Sequence, residues 1–369
     1  MIPFVDLKKQ TRQLEGEIQR AIAEVLADCR FVRGIWVEQF EEAFARYCGV
    51  GYACAVSSGT AALQLALLAA GVGRGDEVVT CSYTFIATAE AITHVGARPV
   101  FVDILPDTFT IDPENIEKVI TKKTKAIIPV DLYGQPADLD AIRDGAQRYQ
   151  LAVIEDACQA TGAVYKGRRV GGGSELACFS FYPSKTLGAM GDAGAVVTDS
   201  HKAAEQIRIR RDHGQTGPYI HEVEGLNARM DSIQAAVLLV KLKYLDQWNS
   251  MRRKHAQQYD EMLKEVEFVK TPSVMGYANP VYALYTIRAT DRDGLQVYLR
   301  QRGISTGVYY PIPLHLQPAY RYLGYKEDDF PVTEAAAREV LSLPMYPELS
   351  EGEISWVAEA VRDFYRGKR

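Results

Sequence analysis

The sequence predicts an α/β protein: a mostly parallel sheet with helices on both faces, followed by a smaller C-terminal α/β unit. Three observations carry this. Between residues 52 and 198 short apolar runs alternate with helical stretches. Runs such as Leu151-Ala152-Val153-Ile154 are nearly continuous rather than alternating, as strands covered on both faces require. Past about residue 270 the texture shifts to separate strand and helix signals around a proline-rich loop.

In order along the chain, residues 1–12 read as extended, and helical patterning runs from about Leu14 to Asp28. Val37, Phe40, Phe44 and Tyr47 share one face of a second helix. Tyr52 to Val56 is a short apolar strand. Ser57-Ser58-Gly59-Thr60 joins it to a helix from Ala61 to Ala70, closed by Gly71. Strands at 77–80, 99–103, 125–130 and 151–155 then alternate with helices at 84–95, 113–120 and 138–149. Two more strands follow, at 176–181 and 195–197, and then helices at 199–213, 227–243 and 244–264. The C-terminal part offers a strand at 282–288, a helix at 291–302, a strand at 306–310, a loop at 311–318, and helices at 333–340 and 350–366. The change of texture near 246–250 suggests domains 1–247 and 248–369.

Of the 369 residues, 47% are hydrophobic and 24% charged, a balance that allows a sizeable core. The net charge of −5, with no basic cluster beyond Arg208, Arg210 and Arg211, leaves no electrostatic footprint for nucleic acid or an anionic membrane. No apolar run reaches the ~18 residues of a membrane span. The start, Met1-Ile2-Pro3-Phe4-Val5-Asp6, lacks the basic-then-apolar order of a signal peptide. The six cysteines are scattered without a C-x-x-C, which points to a reducing cytoplasm and to neither a zinc site nor a disulfide scaffold.

Four features carry chemistry. Phe179-Ser180-Phe181-Tyr182-Pro183-Ser184-Lys185 ends a strand in a Pro-Ser turn bearing one lysine. In an apolar setting its ammonium is destabilised and the free amine becomes a nucleophile suited to a Schiff base; in an exposed loop it is an ordinary lysine. Ser57-Ser58-Gly59-Thr60 lies between a strand and a helix N-terminus, where free amides and the helix dipole favour an anion, although a plain N-cap uses the same residues. Glu155 and Asp156 end a buried strand with Gln159 one turn onward, at the strand edge where α/β sheets bind ligands. Ser180 could add a hydroxyl to the anion site, and Phe85 could stack on a flat ring or simply join the core. An anion cradle, a carboxylate for a ring nitrogen, a stacking face and an amine together match pyridoxal 5′-phosphate (PLP). Gly71-Val72-Gly73-Arg74-Gly75 follows a helix and precedes a strand, the reverse of a dinucleotide fingerprint, and no H-E-x-x-H is present.

On these residues the chain resembles the DegT/DnrJ/EryC1/StrS sugar aminotransferases, of PLP fold type I, over essentially its full length. The matching stretches are Ser58-Gly59-Thr60-Ala61-Ala62-Leu63, Glu155-Asp156-Ala157-Cys158-Gln159-Ala160, Phe179-Ser180-Phe181 through Lys185, and Asn227 through Ala236. The resemblance implies a large domain with a seven-stranded, mostly parallel sheet and a small C-terminal domain. It implies that Lys185 carries the cofactor and moves the proton, and that Asp156 pairs with the ring nitrogen. Gln159 would sit near the ring hydroxyl and Phe85 on the ring. Ser58, Gly59, Thr60, Ala61 and Ser180 would line the phosphate site. Asn227 would reach the phosphate of a neighbouring subunit, making a homodimer with shared active sites. Arg229, Tyr309, Tyr310 and His315 are the substrate candidates, with an aromatic-proline packing loop as the alternative.

Relatives with histidine in place of this lysine are dehydratases; a lysine stands here. Relatives acting at sugar carbon 4 carry Lys-x-Ile-Thr-x-Gly-Glu-Gly-Gly, whereas this chain has Lys185-Thr186-Leu187-Gly188-Ala189-Met190-Gly191-Asp192-Ala193-Gly194. With Trp248-Asn249, that form looks more like the members acting at carbon 3. The implied reaction takes an amino group from L-glutamate, through pyridoxamine phosphate, to a nucleotide-linked keto sugar, a dTDP-3-keto-6-deoxyhexose first. A carbon-4 or UDP-linked sugar, another fold type I PLP enzyme such as an amino-acid lyase, and a PLP-binding regulator without turnover are the alternatives.

Overall fold

The computed structural model describes residues 1–366. Seven strands build the central sheet: β1 (Tyr52–Val56), β2 (Glu77–Cys81), β3 (Arg98–Val102), β4 (Thr124–Ile128), β5 (Ala152–Asp156), β6 (Leu176–Ser180) and β7 (Gly194–Thr198). Their spatial order is β1-β7-β6-β5-β4-β2-β3. β7 runs antiparallel to both neighbours, and the other pairings are parallel. β1 therefore points the same way as β6 and β5, so all three bring their carboxyl ends to one edge.

Helices cover both faces, which is why these strands are apolar throughout. On one face Phe40 and Phe44 from α2 (Ile35–Cys48) pack against Phe179, Phe181, Leu187 and Leu238. On the other, α3 (Gly59–Ala69) and α4 (Ala87–His94) supply Leu63, Leu65, Ala66, Ala91 and Ile92. The first helix, α1 (Leu7–Asp28), starts seven residues before the sequence suggests. Asp6 caps it by accepting the Lys8 and Lys9 amides, while Lys8, Lys9 and Gln10 give no apolar rhythm to read. Segment 113–120 splits into a single α-turn, α5 (Pro113–Ile116), and a 3₁₀ turn. It is followed by α6 (Leu139–Arg148) and α7 (His201–Arg210).

The helix expected from 227 begins only at Ser232 as α8 (Ser232–Leu242). Residues 227–230 run extended instead: Asn227 bridges to Asp212, Arg229 bridges to Val56, and the Ser57 amide donates to the Ala228 carbonyl at 3.0 Å. Helix α9 (Leu245–Leu263) crosses between the two cores. Leu245 joins the core of the sheet, whereas Ala256, Tyr259 and Leu263 join the C-terminal one.

That second core surrounds a three-stranded sheet, β8 (Val269–Lys270), β9 (Tyr285–Ala289) and β10 (Val340–Leu343). Helices α10 (Arg292–Gln301), α11 (Pro331–Glu339) and α12 (Glu351–Arg366) accompany it. Ile2 belongs to this core and pairs with Ile304, tying the first residues to the C-terminal unit. β10 follows α11 without a turn signal, so the sequence hides it. The strand expected at 306–310 reduces to one bridge, Gly307 with Ser342. Pro311 and Pro313 offer no amides to extend it.

Candidate active site

The carboxyl ends of β1, β5 and β6 meet at the chemistry predicted from sequence. Gly59 makes the meeting possible. A Cβ there would stand 2.7 Å from the Ser180 Cβ and 2.9 Å from the Cys158 Sγ, so any side chain would push the three loops apart. Gly194 plays the same part behind, where a Cβ would lie 2.4 Å from the Ser58 carbonyl. The Ser58 Oγ caps α3 by accepting the Ala61 amide at 3.1 Å. Ser58, Thr60 and Ala61 are half-buried at the helix's positive end, and Ser180, also half-buried, abuts Gly59. The arrangement offers an anion the helix end and a hydroxyl from each side, while the Ser58 hydroxyl already serves as the N-cap.

Lys185 sits on a tight turn beyond β6. Its amide donates to the Tyr182 carbonyl at 2.8 Å, and the Ala189 amide returns to the Phe181 carbonyl at 2.8 Å. The side chain is half-buried. Burial pushes its ammonium below the ordinary lysine value, with Cys158 and Asp156 opposing that shift. The amine thus shares its surroundings with the end of β5 and with the residue that touches Gly59.

Asp156 is buried at 5% exposure. Its Oδ2 accepts from the Thr88 hydroxyl at 2.8 Å and its Oδ1 from the Cys158 amide at 3.2 Å. Thr88 is itself paired with Thr84 at 3.0 Å. Gln159 is fixed at both ends: its Oε1 accepts the Tyr133 amide at 2.9 Å, and its Nε2 donates to the Tyr310 hydroxyl at 3.3 Å. Phe85 is 54% exposed, its ring 6.0 Å from that of Tyr310. It keeps a free aromatic face rather than entering the core.

Tyr309 and Tyr310 reach this edge from the C-terminal part of the chain. The Tyr83 hydroxyl donates to the Tyr309 carbonyl at 2.9 Å and accepts the Tyr310 amide at 2.9 Å. The Tyr133 hydroxyl also donates to the Tyr309 carbonyl.

Asn227 and Arg229 lie on the extended segment that pairs with Val56 at the end of β1. Arg229 donates to Asp212 at 2.5 Å, and Arg33 holds the same carboxylate at 2.7 Å. Asn227 is exposed beside them. His315 departs from expectation. Its side chain is buried, with Nδ1 2.6 Å from the Ser82 Oγ and Nε2 3.2 Å from Glu334. Both ring nitrogens are engaged and the ring packs edge-on to Phe330, so it braces the loop and leaves no nitrogen for a substrate. Tyr83, Thr88 and Tyr133, which hold Tyr309, Asp156 and Gln159, are contacts that the sequence reading missed. Thr84 and Thr88 at i, i+4 were the one available signal.

The residues fit a phosphorylated pyridine aldehyde: two close-approach glycines shape the cradle, a buried carboxylate stands on one side and an uncommitted amine on the other. Among the described residues no cluster of His, Cys, Asp and Glu could hold a metal ion. Fold and site together define a PLP-dependent enzyme of the α/β class.

Residues 12–362 match the DegT/DnrJ/EryC1/StrS aminotransferase family, and the chain belongs to it. It is similar to the "Pleiotropic regulatory protein" of Geobacillus stearothermophilus, 49% identical over 367 residues and 99% of each chain. The dTDP-3-amino-3,4,6-trideoxy-alpha-D-glucose transaminase of Streptomyces venezuelae is 46% identical over 363 residues, covering 98% of this chain and 96% of that one. Among solved structures, S. venezuelae DesV in complex with a ketimine intermediate superposes with a TM-score of 0.97 at 45% identity, covering 98% of both chains.

Proposed function

We propose that the protein transfers an amino group from L-glutamate to carbon 3 of a nucleotide-linked keto sugar, a dTDP-3-keto-6-deoxyhexose first. The observation that carries this is the apposition of Lys185, with its lowered amine, to Asp156 and to the Gly59–Ser180 cradle. The Streptomyces relative's dTDP-3-amino sugar supports carbon 3, as does the Lys185–Gly194 sequence.

When bound, PLP supplies an aldehyde for the amine and a protonated ring that accepts electrons from the bond being broken. The residues around it divide the work. Ser58, Gly59, Thr60, Ala61 and Ser180 hold the phosphate through helix-end amides and hydroxyls. Asp156, held by Thr88 and the Cys158 amide, keeps a proton on the ring nitrogen. Phe85 would cover one face of the ring, and Gln159 would sit near its hydroxyl. Lys185 would hold the cofactor and, when free, would serve as the general base and acid that moves a proton between two carbons. Its lowered pKa raises the fraction of free amine available for this. Tyr309 and Tyr310 border the substrate side, and the Arg229 guanidinium, with Arg33 sharing Asp212, adds positive charge near Asn227. We place Asn227 at the cofactor phosphate of a second copy, in a cytoplasmic homodimer. The boundary between the domains falls inside α9, giving units 1–247 and 248–369.

Mixing the PLP-loaded protein with L-glutamate alone should release one 2-oxoglutarate per site, and the added keto sugar should then gain nitrogen at carbon 3 by NMR. Ping-pong kinetics should follow. Amination at carbon 4, or of a UDP-linked sugar in preference, would overturn the substrate assignment. The Geobacillus relative's name raises a second reading, a PLP-binding regulator without turnover. No release of 2-oxoglutarate would favour it.

A further inference from the structure

Helix α8 carries a lysine that none of these roles uses. Lys241 is 3% exposed, and lysine is almost never so buried without a partner. Its Nζ donates to the Gly188 carbonyl at 2.7 Å. Burial pushes the ammonium down to about 8, with Glu348 the charged group that opposes this.

Gly188 closes the turn that begins at Tyr182. A Cβ at Gly188 would lie 2.2 Å from the Pro183 carbonyl oxygen, so the two ends of the Pro183–Gly188 segment are in contact. Lys185 sits midway. The same helix grips the loop a second time: the Gln234 Oε1 accepts the Met190 amide at 2.8 Å. Gln234 and Lys241 are two turns apart on α8 and so share a face. An aliphatic side chain would fill this space without the cost of burying an ammonium. What the ammonium adds is direction, a charge-assisted bond to one peptide group.

We propose that Lys241 is a positioning residue, whose bond to the Gly188 carbonyl fixes the 182–189 turn and so aims the Lys185 amine at the space beside Asp156. It acts through Lys185 and touches neither cofactor nor substrate. The proposal rests on the reading of Lys185 as the working amine.

The test uses the full-length protein as Lys241→Met and Lys241→Gln, by amide hydrogen exchange with and without PLP and by steady-state kinetics. Losing one charge-assisted bond should speed exchange of the Lys185 and Ala189 amides about tenfold in Lys241→Met, with β1 and β5 unchanged. On the same grounds kcat should fall about tenfold with KM for the keto sugar within about twofold. Lys241→Gln keeps a donor but loses the charge, and should speed exchange of the same amides and lower kcat by about threefold each. If Lys241→Met does not fold, that threefold change in Lys241→Gln, confined to the turn, is the supporting result. Wild-type exchange in the turn of whichever variant folds, or acceleration spread evenly over the sheet, overturns the proposal. Borohydride fixing PLP to a Lys185→Ala protein would instead overturn the reading of Lys185, and the exchange result would still report on the clamp.

Discussion

Replacing Gly59 by alanine drives a methyl group into the junction of three loops. Its carbon would stand 2.7 Å from the Ser180 Cβ, 2.9 Å from the Cys158 Sγ and 3.3 Å from the Ser180 Cα. Comfortable carbon–carbon contacts are about 3.5–4.0 Å, so the start of α3 and the end of β6 must separate by roughly 1 Å. The Cys158 Sγ could rotate about χ1, but the Ser180 Cβ and Cα cannot swing aside, because they move only with their backbone. Overpacking of this kind costs about 1–3 kcal/mol. Alanine regains about 1 kcal/mol of helix propensity, since Gly59 is the first residue of α3. The net loss of stability is therefore about 1 kcal/mol, close to what urea unfolding resolves. The effect on cofactor binding should be larger. Amides at 59 and 60 and the Ser180 hydroxyl would no longer converge on one phosphate. Bonds to a charged group are worth about 1.5–3 kcal/mol each, so losing one weakens PLP binding roughly 10–100-fold. Titrating the apoprotein with PLP by fluorescence measures this. Gly73→Ala is the control, since a Cβ at Gly73 meets nothing within 4 Å. PLP affinity within twofold of wild type for Gly59→Ala would refute the cradle.

Three further outcomes test separate parts of the account. Thr88→Val removes the hydroxyl donating to Asp156; stability should fall by about 1–3 kcal/mol and kcat with it, and Thr88→Ser should restore both. His315→Leu should cost about 1–3 kcal/mol while leaving KM for the keto sugar unchanged; a tenfold rise in KM at wild-type stability would return His315 to the substrate site. Lys241 has a folded pKa of about 8 against an ordinary value of 10.5, so between those pH values the unfolded chain binds more protons than the folded one. Stability must then rise with pH across that window, by up to about 3 kcal/mol relative to Lys241→Met. Parallel stability curves for the two proteins would contradict the burial of that ammonium.

The central sheet was legible because each strand is a short apolar run bounded by its own turn residues. The positions of Lys185 and Asp156 were legible for a related reason: Asp156 ends such a run and Lys185 follows one on its turn, so both fall at the sheet edge where ligands bind. The supports were not. Thr88 holds Asp156 from 68 residues away, and Tyr83 reaches Tyr309 across 226. Tyr133 meets Gln159 through its backbone amide, which no side-chain pattern announces. His315 sat in a loop of the right composition, but its direction depends on Ser82 and Glu334, neither of them its neighbour in sequence. The stretch 227–231 lacks helix breakers and reads as helical. Its extension is imposed by pairing with Val56 and Asp212, tertiary contacts that override local propensity.

Borohydride reduction of the PLP-loaded protein, followed by peptide mapping, tests the central claim most directly. The account predicts one cofactor fixed per chain on the peptide containing Lys185, and none after prior incubation with L-glutamate. Label on another lysine, or labelling indifferent to L-glutamate, would contradict it.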